Sequence, residues 1–569
     1  MFIDARSVAP GAKIAADLCI VGAGAAGITL AQRLADSGID ICLLESGDLD
    51  FNWQTQALYE GRNVGLPYYA LGFCQIRYFG GNTNGWGGWC RPFDPIDFRE
   101  RSWVEHSGWP WGPETLAPYY PEAHRLCQIP SDDYDPERVV AALEARRGCV
   151  LPLDPEKLET TIYRFSAPTR FGQVYREAVR QAGSVRCYLN ANVLAIRATS
   201  DATAVKHLEV GCLSGTRFTV TAKHFVLAAG GIENTRLLLL SNDVAPRGLG
   251  NDHDIVGRYF MEHPHTKRVL LASPPALSSA LYGLAFHGRG VSARISLPEA
   301  VQEREELLNY SANIHAVYPG QEDDGWAAFR KLVLSLSQSR HTDPFIRFPP
   351  YGRKGLTLAQ VSSILRRLDR VTVAAFLQLF EPAHWISGFL LESKCEQAPN
   401  PESRVTLDHP RDAFGLNRVK LDWRTLPIDR RSVIRGEEIV EGELRRLGIG
   451  QLAPLAPEEN EAWPSNLEGG WHQIGTTRMH VDPRQGVVDA DGRVHGLSNL
   501  YIASGSVFPT GSAAPPTLTV VALALRLADH LRQVVTHRER VIVQPARRST
   551  LAAAAARLLT PPLSSRPST

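Results

Sequence analysis

Residues 17–45 read DLCIVGAGAAGITLAQRLADSGIDICLLE: an apolar run, a glycine-rich turn, a helical stretch and a second apolar run ending in an acid. The runs at 16–22 and 40–45 are rich in β-formers, and Ala31, Leu34 and Ala35 mark the helix between them. That pattern predicts a βαβ unit and therefore a parallel sheet. Gly22, Gly24 and Gly27 form GxGxxG at the strand–helix junction. Glycines there permit a tight turn, let backbone approach a pyrophosphate, and allow the helix to pack closely on the strand. The helix N-terminus adds free N–H groups and a positive dipole end. Glu45 ends the second strand at the spacing of an acid that holds ribose hydroxyls, which disfavours a 2′-phosphate and hence NADP. NAD and FAD share this fingerprint, and the turn alone leaves both open.

A chain of 569 residues is too long for one simple core and predicts two domains. Its 44% hydrophobic and 21% charged residues are ordinary for a soluble globular protein. A net charge of +1 without a basic block gives no reason to expect nucleic acid or an anionic membrane as partner. Nine scattered cysteines, none in CxxC spacing, suit reduced thiols and no zinc site. His263 and His265 in MEHPH lack a partner set of ligands, so no metal is expected. The first residues show no export signal and no run reaches membrane-spanning length, which predicts a cytoplasmic protein.

Outward from the fingerprint, residues 14–130 form the first part of a nucleotide-binding domain, with a Gly/Trp/Pro-rich excursion from about 63. Residues 131–262 supply its second part, with a helix in RFGQVYREAVRQAG, then strands, then a helix in IENTRLLLLS. From 263 to 462, strands such as LNYSANIHAVY alternate with helices such as SSILRRLDRVTVAAFLQLF and RSVIRGEEIVEGELRRLG. This segment reads as a sheet-based substrate domain that roofs a site. Residues 463–538 return to the first domain, and 539–569 read as a poorly ordered tail.

Seven segments occur together: GAGAAG with Glu45, FGGNTNGWGGWCRPFDPIDF, LAAGGIENTRLLLL, VGRYFMEHPH, EQAPNPESRVTLDHPRDAFGLNRVKLDWR, WHQIGTTRM, and NLYIASGSVFPTG followed by PPTLTVVALALRLADHL. In this order they resemble the glucose–methanol–choline (GMC) family of FAD-dependent oxidoreductases, on the side of its pyranose oxidase and bacterial sugar-oxidising branch. The resemblance implies an α/β fold, a Rossmann-like FAD-binding domain interleaved with an α+β substrate domain. It implies a cofactor-binding set of Gly22, Gly24, Ala25, Ala26, Gly27, Glu45, Ser46, Gly80, Gly81, Asn84, Trp86, Gly87, Val193, Ala229, Gly230, Gly505, Ser506 and Thr517. Two positions depart from the family. Gly85 stands where pyranose oxidases carry the histidine bonded to flavin, so FAD is expected to be non-covalent. Pro515 stands where the family places a catalytic asparagine, and proline offers neither an N–H nor a polar side chain.

Hydride loss from an alcohol to flavin N5 needs a base, because an alkoxide is the better donor. His472, three residues before Gly475, occupies the family's position for that base. Gln473, Ser512 and Thr517 are candidates for the missing asparagine's role, and the helix starting near Thr517 is expected to aim its N-terminus at the flavin. Glu396 and Gln397 are expected to meet substrate where the two domains join. The resemblance thus implies oxidation of an alcohol of a sugar, glycoside or aminocyclitol-like polyol to a carbonyl, with oxygen or a quinone-like molecule as acceptor. Its alternatives are a redox-neutral lyase of the hydroxynitrile type and oxidation of a non-carbohydrate alcohol.

Overall fold

The computed structural model describes residues 1–144, 150–166, 169–272, 282, 290–317, 362, 365–369, 371–373, 386–459 and 462–542. The proposed helix at 362–380 and the tail beyond 542 therefore lie largely outside the described residues.

The strands Lys13–Val21 and Ile41–Leu44 pair in parallel, as the βαβ reading requires. All four residues of ICLL are buried, as expected of a strand covered on both faces. Around them a sheet forms in the order Phe2–Asp4, Val185–Leu189, Ile41–Leu44, Lys13–Val21, Arg217–Leu227, Val205–Gly211 and Asn192–Ala198. Leu500–Ile502 adds in parallel to the end of Arg217–Leu227. The helix Ala25–Leu34 buries Ile28, Leu30, Ala31 and Leu34 against this sheet. Beside it runs the long helix Thr517–Ile542, tied to it by an Arg33–Asp529 ion pair at 3.1 Å.

The second sheet is antiparallel, in the order Gly450–Leu452, His265–Ala272, Gly388–Cys395, Tyr310–Val317, Val291–Ser296, Glu159–Phe165 and Trp89–Cys90. The helix Pro427–Arg446 covers one face through Val433, Val440 and Leu444. A three-stranded sheet of Arg404–Arg411, Asn417–Asp422 and Gly61–Asn63 lies beside the helix Gly230–Leu240.

The topology crosses the expected boundaries in several places. Glu159–Phe165, expected in the nucleotide half, pairs along its length with Val291–Ser296 in the second sheet. Residues 404–422 leave that sheet for the small one, where the Val405 N–H donates to the Gly257 carbonyl at 2.8 Å. The first sheet also begins before residue 14, because Phe2–Asp4 pairs with Cys187–Leu189. RFGQVYREAVRQAG forms two short helices, Phe171–Val174 and Arg176–Gln181, with a break at Tyr175. No helix among the described residues is long and apolar enough to cross a membrane.

Candidate active site

A cavity of about 970 Å³ runs between the two large sheets, at the large end of small-molecule sites. One end is the fingerprint turn. Gly22 has φ +102°, a region L side chains rarely adopt, and a Cβ there would stand 2.7 Å from the Ala228 carbonyl oxygen. Gly24 caps the helix Ala25–Leu34 and faces open space, with no atom within 4 Å of a built Cβ. Ala25 and Ala26 line the same end, so the first free N–H groups of the helix face a cradle. Gly27 serves packing instead, because a Cβ would lie 1.9 Å from the Gly22 carbonyl oxygen.

Glu45 lines the cavity beside Ser46 and is 5% exposed. Its carboxylate accepts from the Ala23 N–H at 2.9 Å and the Gly47 N–H at 2.8 Å. Those bonds aim it while leaving lone pairs for a ribose. Gly81, Trp86, Gly87, Val193, Ala229, Gly230 and Gly505 continue the walls, and Gly85 lies among them. Trp86 is held by its indole N–H donating to the Thr169 carbonyl at 2.8 Å. A cradle at a helix N-terminus, an oriented acid and a long walled slot together fit a dinucleotide.

Three cofactor positions named from the resemblance lie behind the wall. Gly80 is wedged against Gly172, with a built Cβ 2.6 Å from its nitrogen. Asn84 donates to the Phe79 carbonyl within its own turn, at 2.9 Å. Ser506 is fully buried and bonds Thr477 Oγ1 and Ser504 Oγ, both at 2.6 Å. These residues shape the turns that carry their neighbours.

At the other end stand His472, Gln473, Pro515, Pro516 and Thr517. The helix Thr517–Ile542 begins here, its start pre-set by the two prolines, and points its positive dipole end into the slot. Gln473 lines the cavity, but its amide donates to Cys74 Sγ at 3.0 Å and to the Cys74 carbonyl at 3.3 Å. It holds the wall.

His472 is fixed from both sides. Its backbone N–H, and that of Gly470, donate to Glu262 Oε2, each at 2.9 Å. Burial pushes Glu262 up to about 7 against the pull of Tyr68 and these N–H donors. Gly470 leaves room for the ring, since a Cβ would lie 2.6 Å from His472 Nδ1. On the ring, Nδ1 lies 2.8 Å from His263 Nδ1. His263 Nε2 in turn faces the Gly511 carbonyl at 3.0 Å. A carbonyl only accepts, so His263 carries its proton on Nε2 and presents a lone pair at Nδ1. His472 must then carry its proton on Nδ1. Its Nε2 is left basic, with no hydrogen-bond partner among the described residues. Burial, with His263, His265, Lys394 and Arg294 nearby, keeps His472 well below the ordinary histidine range and therefore neutral. Burial likewise lowers His263 to about 4.

The three residues expected to meet substrate, Glu396, Gln397 and Ser512, are not among those that line the cavity. Glu396 is fully buried and paired to Arg101 through two bonds of 2.7 and 2.8 Å. Gln397 Oε1 accepts from the Glu262 N–H and the Trp423 indole N–H, each at 2.9 Å, and its amide donates to the Arg424 carbonyl at the same distance. Ser512 is buried with φ +57°, and its Oγ accepts from the Ala514 N–H at 3.1 Å. In each case the interior claims the polar atoms. Four other residues face this end, His263, His265, Arg294 and Lys394, and the last two carry no local sequence signal. The His-Pro-His spacing was the one available hint.

A family model described as GMC oxidoreductase matches residues 399–524, and one described as an NAD(P)-binding Rossmann-like domain matches residues 20–77. Paromamine 6'-oxidase of Streptomyces fradiae is 25% identical over 562 residues, covering 90% of each chain. 2-Methyl-1,2-propanediol dehydrogenase of Mycolicibacterium austroafricanum is 23% identical, covering 90% of this chain and 95% of its own. The solved structure of pyridoxine 4-oxidase from Mesorbium loti shares the fold, with a TM-score of 0.54 at 20% identity over 90% of this chain and 99% of the other.

Proposed function

That the chain belongs to the GMC oxidoreductase family of FAD-dependent enzymes is the premise from which we propose its reaction: oxidation of an alcohol of a sugar, glycoside or related polyol to a carbonyl. Bound FAD supplies the two-electron acceptor for the carbinol carbon. The turn Gly22–Ala26 and the helix behind it would hold the pyrophosphate, Glu45 the ribose, and the walls at Trp86, Gly87 and Thr517 the ring system, with no covalent bond at Gly85. His472 Nε2 takes the hydroxyl proton. His263 Nδ1 then accepts a charge-assisted hydrogen bond from the new imidazolium. Glu262 keeps the segment 470–472 from turning away.

One observation carries this reading: the Gly511–His263–His472 chain leaves a neutral, unpartnered imidazole nitrogen at the cavity. The relatives act, by their names, on paromamine and on 2-methyl-1,2-propanediol, which supports an alcohol as substrate and leaves the acceptor, oxygen or a quinone, to assay. The eight described cysteines are all buried and none is in a disulfide, which supports a cytoplasmic site of action.

The test is His472→Ala. It should lose about 10²–10⁴ in kcat with FAD content unchanged. Near-normal turnover removes His472 from the reaction. Anaerobic mixing with a panel of polyols should bleach the flavin absorbance, whereas a lyase would leave it oxidised.

A further inference from the structure

The second sheet turns a row of cations toward the proton-accepting end of the cavity. Lys394 stands directly opposite His265 on one neighbouring strand and Ser311 on the other. Ser311 is opposite Ser296, two residues from Arg294. Directly paired residues, and residues two apart, share a face of a sheet. His265, Lys394, Ser311 and Arg294 therefore emerge together, and His265, Lys394 and Arg294 line the cavity with His472.

Arg294 is 2% exposed. Its Nη1 donates to Ser311 Oγ at 3.3 Å and its guanidinium lies 3.6 Å from the centroid of the Tyr163 ring. Its Nε has no partner, and no described carboxylate pairs with it. Lys394 is shared with Glu392 at 3.0 Å, and Glu392 also bonds His315 Nε2 at 3.1 Å. The acids that line the cavity are Glu45, Glu233, Asp412 and Glu468; Glu468, beside the His472 segment, has a half-exposed side chain that faces Lys267 at 3.6 Å. Burying a guanidinium without an anion is costly, and an aromatic face offsets only part of that cost. An arginine so placed is half of a pair.

Resting on the proposed alcohol oxidation at His472, we propose that Arg294 and Lys394 bind an oxyanion on the substrate, so that the preferred alcohol belongs to an anionic polyol such as a sugar acid or sugar phosphate. A planar guanidinium with unused donors matches either group, and Lys394 adds a second point charge. Cationic aminosugars meet two like charges at the same end.

The test measures binding separately from turnover. His472→Ala protein, FAD-loaded, is titrated by calorimetry with D-glucuronate, glucose 6-phosphate, methyl glucoside and glucosamine. At least one anion should bind roughly tenfold or more tightly than methyl glucoside, and glucosamine more weakly than it. Whichever anion prevails identifies carboxylate or phosphate. The preference should vanish in Arg294→Gln, shrink in Lys394→Met and partly survive in Arg294→Lys, which also controls for a folding defect in Arg294→Gln. Equal or tighter binding of the neutral or cationic sugar overturns the inference, as does an anion preference that survives Arg294→Gln. Flavin bleaching in the wild-type protein is scored in parallel. Bleaching by neutral sugars without anion preference sinks the oxyanion site alone, whereas anion binding without bleaching by any polyol sinks the oxidation reading alone.

Discussion

Replacing His263 by leucine tests the tautomer chain directly. Before reaction the His472 Nδ1–H donates to a neutral acceptor at 2.8 Å, a bond worth about 0.5–1.5 kcal/mol. Once Nε2 has taken a proton the same N–H belongs to a cation, and the bond rises to about 1.5–3 kcal/mol. The difference, about 1–2 kcal/mol, favours the protonated state and disappears with the acceptor. It corresponds to roughly 5–30-fold in kcat/KM. Leucine also frees the other tautomer, which points an N–H at the substrate oxygen and adds a further small factor. The Gly511 carbonyl loses its partner as well, so some stability falls too. His263→Asn separates these effects, because its carbonyl oxygen can accept near the former Nδ1 position. The assay is kcat/KM with anaerobic flavin bleaching rates, alongside FAD content and thermal unfolding. Asparagine should recover most of what leucine loses. A leucine variant within twofold of wild type at equal FAD content refutes the tautomer argument, as does an asparagine variant no better than leucine while equally folded.

Three further outcomes follow from the geometry. Gly24→Val should leave the chain folded but cut FAD content, since its side chain enters open space in the cradle; Gly27→Val should instead prevent folding, with its Cβ 1.9 Å from the Gly22 carbonyl oxygen. Flavin fluorescence released on denaturation and the soluble yield check both. Glu396→Ala should lower stability by about 3–5 kcal/mol by stranding the buried Arg101 cation, with KM little changed in whatever protein folds. Denaturant melts and steady-state kinetics decide it. A histidine must be neutral to act as base and His472 is held below its usual range, so the acid limb of kcat/KM should fall below the ordinary histidine value of about 6.5. A limb at or above that value argues for another titrating group.

The cofactor end was legible because its signals are local. Gly22, Gly24, Gly27 and Glu45 lie within one βαβ unit, where spacing alone sets geometry. The substrate end was not, because its meaning arises from pairing across the chain. His263 acquires its role from a ring 209 positions away, and Glu159–Phe165 finds its sheet only beside residues 291–296. Glu396 and Gln397 misled for a related reason: a polar pair in a Pro-rich loop looks solvated until Arg101 and Trp423 enclose it. Family resemblance located His472, but the resemblance carried no account of what steadies that ring once Pro515 replaces asparagine.

The strand Leu500–Ile502 docks in parallel on Phe225–Leu227, and the helix starting at Thr517 closes the slot. On a ribosome, therefore, the cofactor-binding sheet waits unfinished while nearly half of the protein is made. At roughly 5–20 residues per second that delay lasts tens of seconds. Throughout it, Val226 and Leu227 are paired on one side only, with Ile20 and Val21, and their other edge invites chaperones or premature aggregation.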